Sequence, residues 1–200
     1  MINILCADIS AADENDYDRL YSKASPERKK RADRCRRFED KLRCVTADAL
    51  LKRVLDTEEI QVGTNEWGKP YVVDRPDFYY NISHSGSYVV LAWGEAEMGI
   101  DVQQHRTGTN MYSVARRCFT EDEQTYMGDD PGRFYEIWTK KESYLKYTGK
   151  GLCADMKSFS VMEENGPWGY RHCMLGDDYS LSLCSIDLDW TMTFLKAQQL

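Results

Sequence analysis

The sequence predicts an α+β fold, and three features lead to that reading. Short alternating or wholly apolar runs that read as strands crowd into residues 71–103 and return near the end of the chain. Two longer segments carry helical spacing with capping residues at their ends. The strands and helices are grouped rather than strictly alternating, which favours α+β over a doubly wound parallel sheet. The 200 residues suffice for one sizeable core or for two small lobes sharing one.

The elements follow in order. INILC (2–6) reads as a first strand. At SPER, Ser25 is an N-cap, Pro26 takes the first helical position and Glu27 sits near the positive end of the helix dipole. Ala47, Leu50, Leu51, Val54 and Leu55 share one face of a second helix. TNEWGKP (64–70) is a turn. YVV (71–73), FYYNIS (78–83), YVVLAWG (88–94) and MGIDVQ (98–103) are strands, with HSGS (84–87) as a hairpin loop. SVARRCFTEDEQ (113–124) is a helix that stops and restarts at a new N-cap, Thr120. DDPGRFYEIWTKKESYLKY (129–147) is the clearest helix, with an Asp130 cap, Pro131 in the first turn and Gly149 beyond the end. Its buried stripe is Phe134, Ile137, Trp138 and Leu145. SFSV (158–161), YSLSLCSI (179–186) and WTMTFL (190–195) read as three late strands, and a change of lobe is expected at residues 98–99.

Composition excludes several classes. No run approaches the ~18 apolar residues of a membrane span. The start, MINILCADIS, lacks the basic and apolar segments of a signal peptide, so a cytoplasmic location is expected. Cys6, Cys35, Cys44, Cys118, Cys153, Cys173 and Cys184 are odd in number and contain no C-x-x-C. With only three histidines, this argues against a disulfide framework or a zinc site and predicts free, mostly buried thiols. A net charge of −7 disfavours nucleic-acid binding. Against that balance, RKKRADRCRR (28–37) carries seven cations and one anion. A solvated helix face is the plain reading of such a run, and a docking patch for an anion is the other.

Three stretches carry candidate chemistry. In GIDVQ, strand alternation sends Ile100 and Val102 to one face and Asp101 and Gln103 to the other. An aspartate followed two residues on by a second oxygen suits magnesium, which takes few protein ligands and completes its shell with water and phosphate oxygens. Ordinary polar residues on an exposed strand are the bland alternative. In the last helix Glu142 and Lys146 stand one turn apart, in the order of a surface pair worth about 0.2–0.5 kcal/mol. Trp138, one turn earlier, borders that carboxylate with the packed stripe, and Lys140, Lys141, Lys146 and Lys150 gather cations as a diphosphate would require. In YYNISHSG (79–86), Ser83, His84 and Ser85 offer donors and Gly86 allows close backbone approach. Lys69 in WGKP is a point charge held in a turn, and His84 read alone is equally a hydrogen-bonded structural histidine.

Taken in order and spacing, WGKPY, YNISHSG, GIDVQ, RCFTEDE and WTKKESYLKYTGKGL closely resemble the 4′-phosphopantetheinyl transferases, in the large single-chain class typified by the surfactin-synthetase activator. SPERKKRADRCRRFEDKLR fits the same class, so the resemblance covers about residues 25–161. It implies two similar α+β lobes with pseudo-twofold symmetry, here 1–98 and 99–200, and an active site in the cleft between them. It implies that coenzyme A donates its phosphopantetheine arm to a serine of an acyl or peptidyl carrier protein, that 3′,5′-ADP is released, that Mg²⁺ is required, and that the protein is a monomer. Asp101 and Glu142 match the metal-binding acids, and Glu142 also the general base. Lys146 matches the lysine at the diphosphate. Lys69, Ser83, His84 and Arg43 match residues at the nucleotide end, Arg28 and Arg31 align with family lysines, and Asn81 and Ile82 support the nucleotide through the backbone. Two positions depart from the pattern. Gln103 stands where many members carry glutamate and would add an oxygen ligand without charge. Cys44 stands where a hydroxyl is common. The resemblance also implies carrier docking along 106–119 and after Lys146, with Met111, Tyr112, Met127 and Met156 as apolar contacts and Arg116 and Arg117 as rim charges. A coenzyme A-binding module with weakened or absent transfer is the alternative.

Overall fold

A computed structural model describes residues 1–108, 110–150, 155–163 and 166–200. Thr109, Cys153 and the Gly151–Leu152 end of the helix motif lie outside the described residues. The first half holds β1 (Ile2–Asp8), α1 (Glu14–Lys23), α2 (Pro26–Asp33), α3 (Phe38–Leu55), β2 (Val62–Thr64), β3 (Pro70–Val72), β4 (Tyr79–Ser85) and β5 (Tyr88–Gly94). The second holds β6 (Met98–Gln104), α4 (Met111–Cys118), α5 (Glu121–Met127), α6 (Pro131–Thr148), β7 (Gly169–Leu175), β8 (Tyr179–Ser185) and β9 (Trp190–Lys196). The fold is α+β. The helix ends are those the sequence marks: Ser25 caps α2, Thr120 caps α5, Asp130 accepts from the Gly132 and Arg133 amides, and Gly149 closes α6 at φ +66°.

The sheets run β4-β5-β1-β9 and β6-β8-β7, with β2-β3 as a small separate ribbon. A topology is used twice. In each half a first strand is followed by three helices and then, after the β2-β3 ribbon in the first half, by two strands, of which the second pairs antiparallel with both the first strand and its own predecessor. β9 breaks the repeat by returning to pair in parallel with β1, Ile2 opposite Trp190. The boundary expected at 98–99 therefore leaves one strand of the first sheet on its far side.

Period-two alternation along β1 distributes the core. Leu5 and Ala7 pack with Leu42, Val45 and Leu51 of α3, while Ile2, Ile4 and Cys6 face Ile100, Val102, Leu181 and Leu183 of the second sheet. A third cluster, with Phe119, Phe134 and Ile137, joins α4, α5 and α6. Among the described residues the cysteines are free; Cys6, Cys44 and Cys184 are buried and Cys35, Cys118 and Cys173 half-buried.

The structure corrects three expectations. SFSV is not a strand. Its backbone serves a fully buried ion pair: Lys141 Nζ meets Glu123 Oε2 at 2.9 Å and donates to the Met156 and Phe159 carbonyls, and the Val161 amide donates to Glu123 Oε1. A ladder would have needed those same backbone groups. The third late strand is instead GYRHCML, whose half-buried polar residues hide its alternation. The cation cluster is also dispersed, because Lys140 pairs with Glu136 and Lys141 with Glu123, which leaves Lys146 beside the candidate acids.

Candidate active site

The two sheets meet where β4 runs beside β6. The β6 edge facing β4 has no strand partner, and side chains satisfy it. The amides of Ile100, Val102 and Gln104 donate in turn to Asn81 Oδ1, Ser83 Oγ and Ser85 Oγ. On the same edge the Met98 carbonyl accepts from Lys69 and the Ile100 carbonyl from Lys146. The polar residues of YNISHS thus face β6 because every second β4 residue does.

This seam assembles the candidate centre. Asp101 is buried opposite Ser182 and projects away from the apolar pair Ile100 and Val102, as alternation requires. Its Oδ1 accepts from Ser83 Oγ at 2.8 Å and from Lys146 Nζ at 2.7 Å, and Lys146 also donates to Ser83 Oγ at 2.9 Å. Lys146 therefore pairs with Asp101 across the seam, not with Glu142 along its helix. Asp101 Oδ2 is buried and has no hydrogen-bond partner among the described residues. Glu142 is half-buried; burial, then the negative charge of Asp101, push its pKa above the ordinary carboxylate range, with Lys146 opposing.

The remaining candidates divide. His84 is exposed, yet the surrounding protein and then the charges of Arg43, Lys146 and Arg31 hold its pKa below the ordinary value. Arg43 donates to the Gly86 carbonyl and pairs with Asp40. Arg28 lies 3.7 Å from Asp48, a buried carboxylate that also holds the Ser25 amide and hydroxyl. Cys44 donates to the Arg28 carbonyl at 3.7 Å. Lys30, Arg31, Arg34, Arg36 and Arg37 are exposed and make no direct ion pair among the described residues. Ser83 belongs with Asp101 and Lys146, and the Asn81 side chain is engaged with β6. Ile82 packs partly on the first core and lines a cavity of about 240 Å³ with Trp67, Lys69, Asn81 and Lys146. Gln103 shares the Asp101 face, but its amide nitrogen is turned to Ser85 Oγ and the Gln104 carbonyl. Of the docking contacts, Tyr112 is exposed and bonded to Asp129, whereas Met127 is buried in the core.

Sequence reasoning missed Gly99 and Glu97. The signal for Gly99 was present, since a glycine inside a strand pattern marks close backbone approach.

A divalent cation fits these residues. Lys146 meets only one Asp101 oxygen; the other is buried without a partner, and the Asp101 charge and burial both disfavour the Glu142 carboxylate, so a further positive charge there would be favourable. No group of three His, Cys, Asp or Glu side chains that could hold a metal ion occurs among the described residues.

Two family models divide the chain between them. Residues 11–96 match "4′-phosphopantetheinyl transferase, N-terminal" and residues 97–195 match the "4′-phosphopantetheinyl transferase superfamily". A Bacillus subtilis 4′-phosphopantetheinyl transferase is 32% identical over 91% of this chain and 89% of its own. The chain belongs to the 4′-phosphopantetheinyl transferases. This transferase is also 35% identical to the 4′-phosphopantetheinyl transferase Sfp of Bacillus subtilis strain 168, over 74% of this chain and 70% of that one. It is 31% identical to the transferase gsp of Aneurinibacillus migulanus, over 74% and 66%. Each of these relatives is named as a transferase, and the alternative of a coenzyme A-binding module without transfer finds no support among them. The protein is a phosphopantetheinyl-transferring enzyme.

Proposed function

We propose that this transferase moves the 4′-phosphopantetheine arm of coenzyme A to a serine hydroxyl of an acyl or peptidyl carrier protein, with Mg²⁺, releasing 3′,5′-ADP. The observation that carries the reading is the buried, unpartnered Asp101 oxygen beside Glu142, with Lys146 in bonding reach of Asp101. Asp101 and Glu142 would hold the magnesium, with Gln103 as a neutral third oxygen. Bound there, the ion supplies neutralisation of the diphosphate's non-bridging charge. Glu142 takes the proton of the serine hydroxyl as general base. The serine oxygen attacks the phosphorus that carries the pantetheine arm, the bond to the bridging oxygen breaks, and the electron pair leaves on 3′,5′-ADP. Lys146 offers its ammonium to that leaving phosphate. Arg31 and Arg43 would supply positive charge for the nucleotide's phosphates, with the His84 imidazole, whose pKa their charge helps to lower, as a neutral hydrogen-bonding neighbour.

The repeated topology supports a division into two lobes, 1–98 and 99–200 with β9 lent back to the first, and a cleft between them. One chain supplies both sides of that cleft, so a monomer suffices. A cavity of about 230 Å³ lined by Gln103, Arg106, Val114, Phe134, Tyr135 and Trp138 opens beside the acids, where the apolar neighbourhood of a carrier serine would rest. No described helix is long and apolar enough to cross a membrane.

The test is direct. The protein is incubated with coenzyme A, Mg²⁺ and a panel of apo carriers, and carrier masses are read. A gain of one phosphopantetheine group is expected, and coenzyme binding without any carrier gaining mass overturns the reading. For the metal, Gln103→Glu is expected to lower the half-saturating magnesium concentration roughly tenfold, because affinity follows ligand charge. An unmoved titration removes Gln103 from the coordination shell.

A further inference from the structure

Lys69 does not reach toward the His84 cations. Its ammonium pairs with Glu97 and donates to the Met98 carbonyl at 3.0 Å and the Tyr147 carbonyl at 3.2 Å. A lysine has three donors, and these partners use all of them. The turn that carries Lys69 is itself braced. Asn65 Oδ1 accepts from the Trp67 and Lys69 amides, and Asn65 Nδ2 reaches the Gly149 carbonyl at 3.4 Å. Glu97 is held from the other side, where Ser185 of β8 donates to its carbonyl.

The last carbonyls of a helix have no partner within it, and a cation there is favoured by the helix dipole. The Tyr147 and Gly149 carbonyls at the end of α6 find their partners in trans, in a turn of the first half of the chain. Lys146, the residue before Tyr147, is the one whose ammonium meets Asp101 and Ser83. Lys69 and Lys146 also grip successive carbonyls, Met98 and Ile100, on the same edge of β6.

We infer that Lys69 and Glu97 form a strut that pins the 65–69 turn to the start of β6 and caps α6, so that Lys69 is a positioning residue for Lys146 and Asp101 rather than a ligand of coenzyme A. The inference rests on the transfer reading for its kinetic consequences, but its geometry stands apart from it. Lys146 also meets three acceptors, but its side chain is 27% exposed and one of those acceptors is the candidate metal acid Asp101. The Lys69 side chain is 13% exposed and its carboxylate partner is Glu97, which is not one of the candidate acids, so a phosphate would have to draw it out of a more enclosed setting. Glu97 is the informative partner, because a carboxylate cannot itself bind a phosphate. A strut and an electrostatic latch predict opposite signs for its removal.

The experiment compares Glu97→Gln, Lys69→Met and the double variant with the parent. Each single variant is expected to lower kcat roughly tenfold with KM for coenzyme A nearly unchanged, since a displaced catalytic group costs rate more than binding. The double variant is expected to be no worse than either single one, because both remove the same contact. Amide hydrogen exchange in the last turn of α6 is expected to quicken in both single variants. Asn65→Asp keeps the turn's acceptor while removing the donor to Gly149, and it is expected to quicken the same amides. Glu97→Gln that lowers KM for coenzyme A would show a latch that frees Lys69, and Lys69→Met that raises KM alone would show a ligand contact. Either result, or unchanged exchange in both variants, overturns the strut. A parent protein that transfers to no carrier defeats the functional reading instead, and leaves the exchange result to judge the strut.

Discussion

Glu142→Gln is expected to lower kcat by about 10²–10⁴-fold, the contribution of a positioned general base, and to raise the melting temperature of the ligand-free protein at neutral pH. Both effects come from one source. Burial, and then the negative charge of Asp101, make the ionised form of Glu142 unfavourable in the folded protein. Its folded pKa therefore lies above the unfolded one. The stability tied to this group is fully present below the ordinary glutamate range, near pH 4, and is lost as pH rises through the raised folded value. A neutral amide of the same shape carries no such loss. The stability gain of Glu142→Gln should then be present at pH 7 and vanish near pH 4. Calorimetry across that range, beside carrier-transfer rates, measures both. A Gln variant that is less stable than the parent at pH 7 would mean that Glu142 is paired in solution, and a parent-like rate would remove it as the base.

The pattern of legible and hidden features follows from what kind of interaction fixes each. Helix ends were readable because caps are local: Ser25, Thr120, Asp130 and Gly149 act within a turn of themselves. The facing of Asp101 was readable because strand alternation is local too. The partner of Lys146 was not. Helical spacing offered Glu142, and only the approach of β6 to α6 makes Asp101 the nearer acid. Lys140 and Lys141 looked like cofactor cations because their partners, Glu136 and Glu123, were not singled out, and Glu123 lies 18 residues before Lys141 on another helix. SFSV failed for a related reason. Its apolar and polar residues alternate, yet its backbone is consumed by a buried charge pair that no strand pattern announces. The serines of β4 were read as ligand donors and Asn81 as a backbone support, and the fold gives the side chains of all three a further task, accepting from an otherwise bare strand edge. Residue type announced polar work, and tertiary contact decided which.

Gly99→Ala is expected to cost about 100-fold in kcat/KM, the scale of an ångström-sized misplacement of catalytic groups. Gly99 is where α6 lies closest on β6. A Cβ added there would stand 2.0 Å from the Ser143 carbonyl oxygen and 2.3 Å from the Tyr147 nitrogen. These are backbone atoms of a helix, so no side chain can swing aside, and the helix itself must move off the strand. The consequence is asymmetric. Asp101 sits two residues along β6 and would stay with its sheet, held to β8 opposite Ser182. Glu142 and Lys146 flank the contact on α6 and would leave with the helix, opening the 2.7 Å bond between Lys146 and Asp101. Overpacking of this kind destabilises by about 1–3 kcal/mol, so the variant should still fold, with a lowered melting temperature and reduced transfer. Because the displacement separates the two acids, the half-saturating magnesium concentration should rise as well, an effect that a general loss of stability does not produce in the folded fraction. A Gly99→Ala protein that turns over and takes up magnesium as the parent does would show that the acids keep their spacing without that close approach, and the helix-to-strand contact would then serve stability alone.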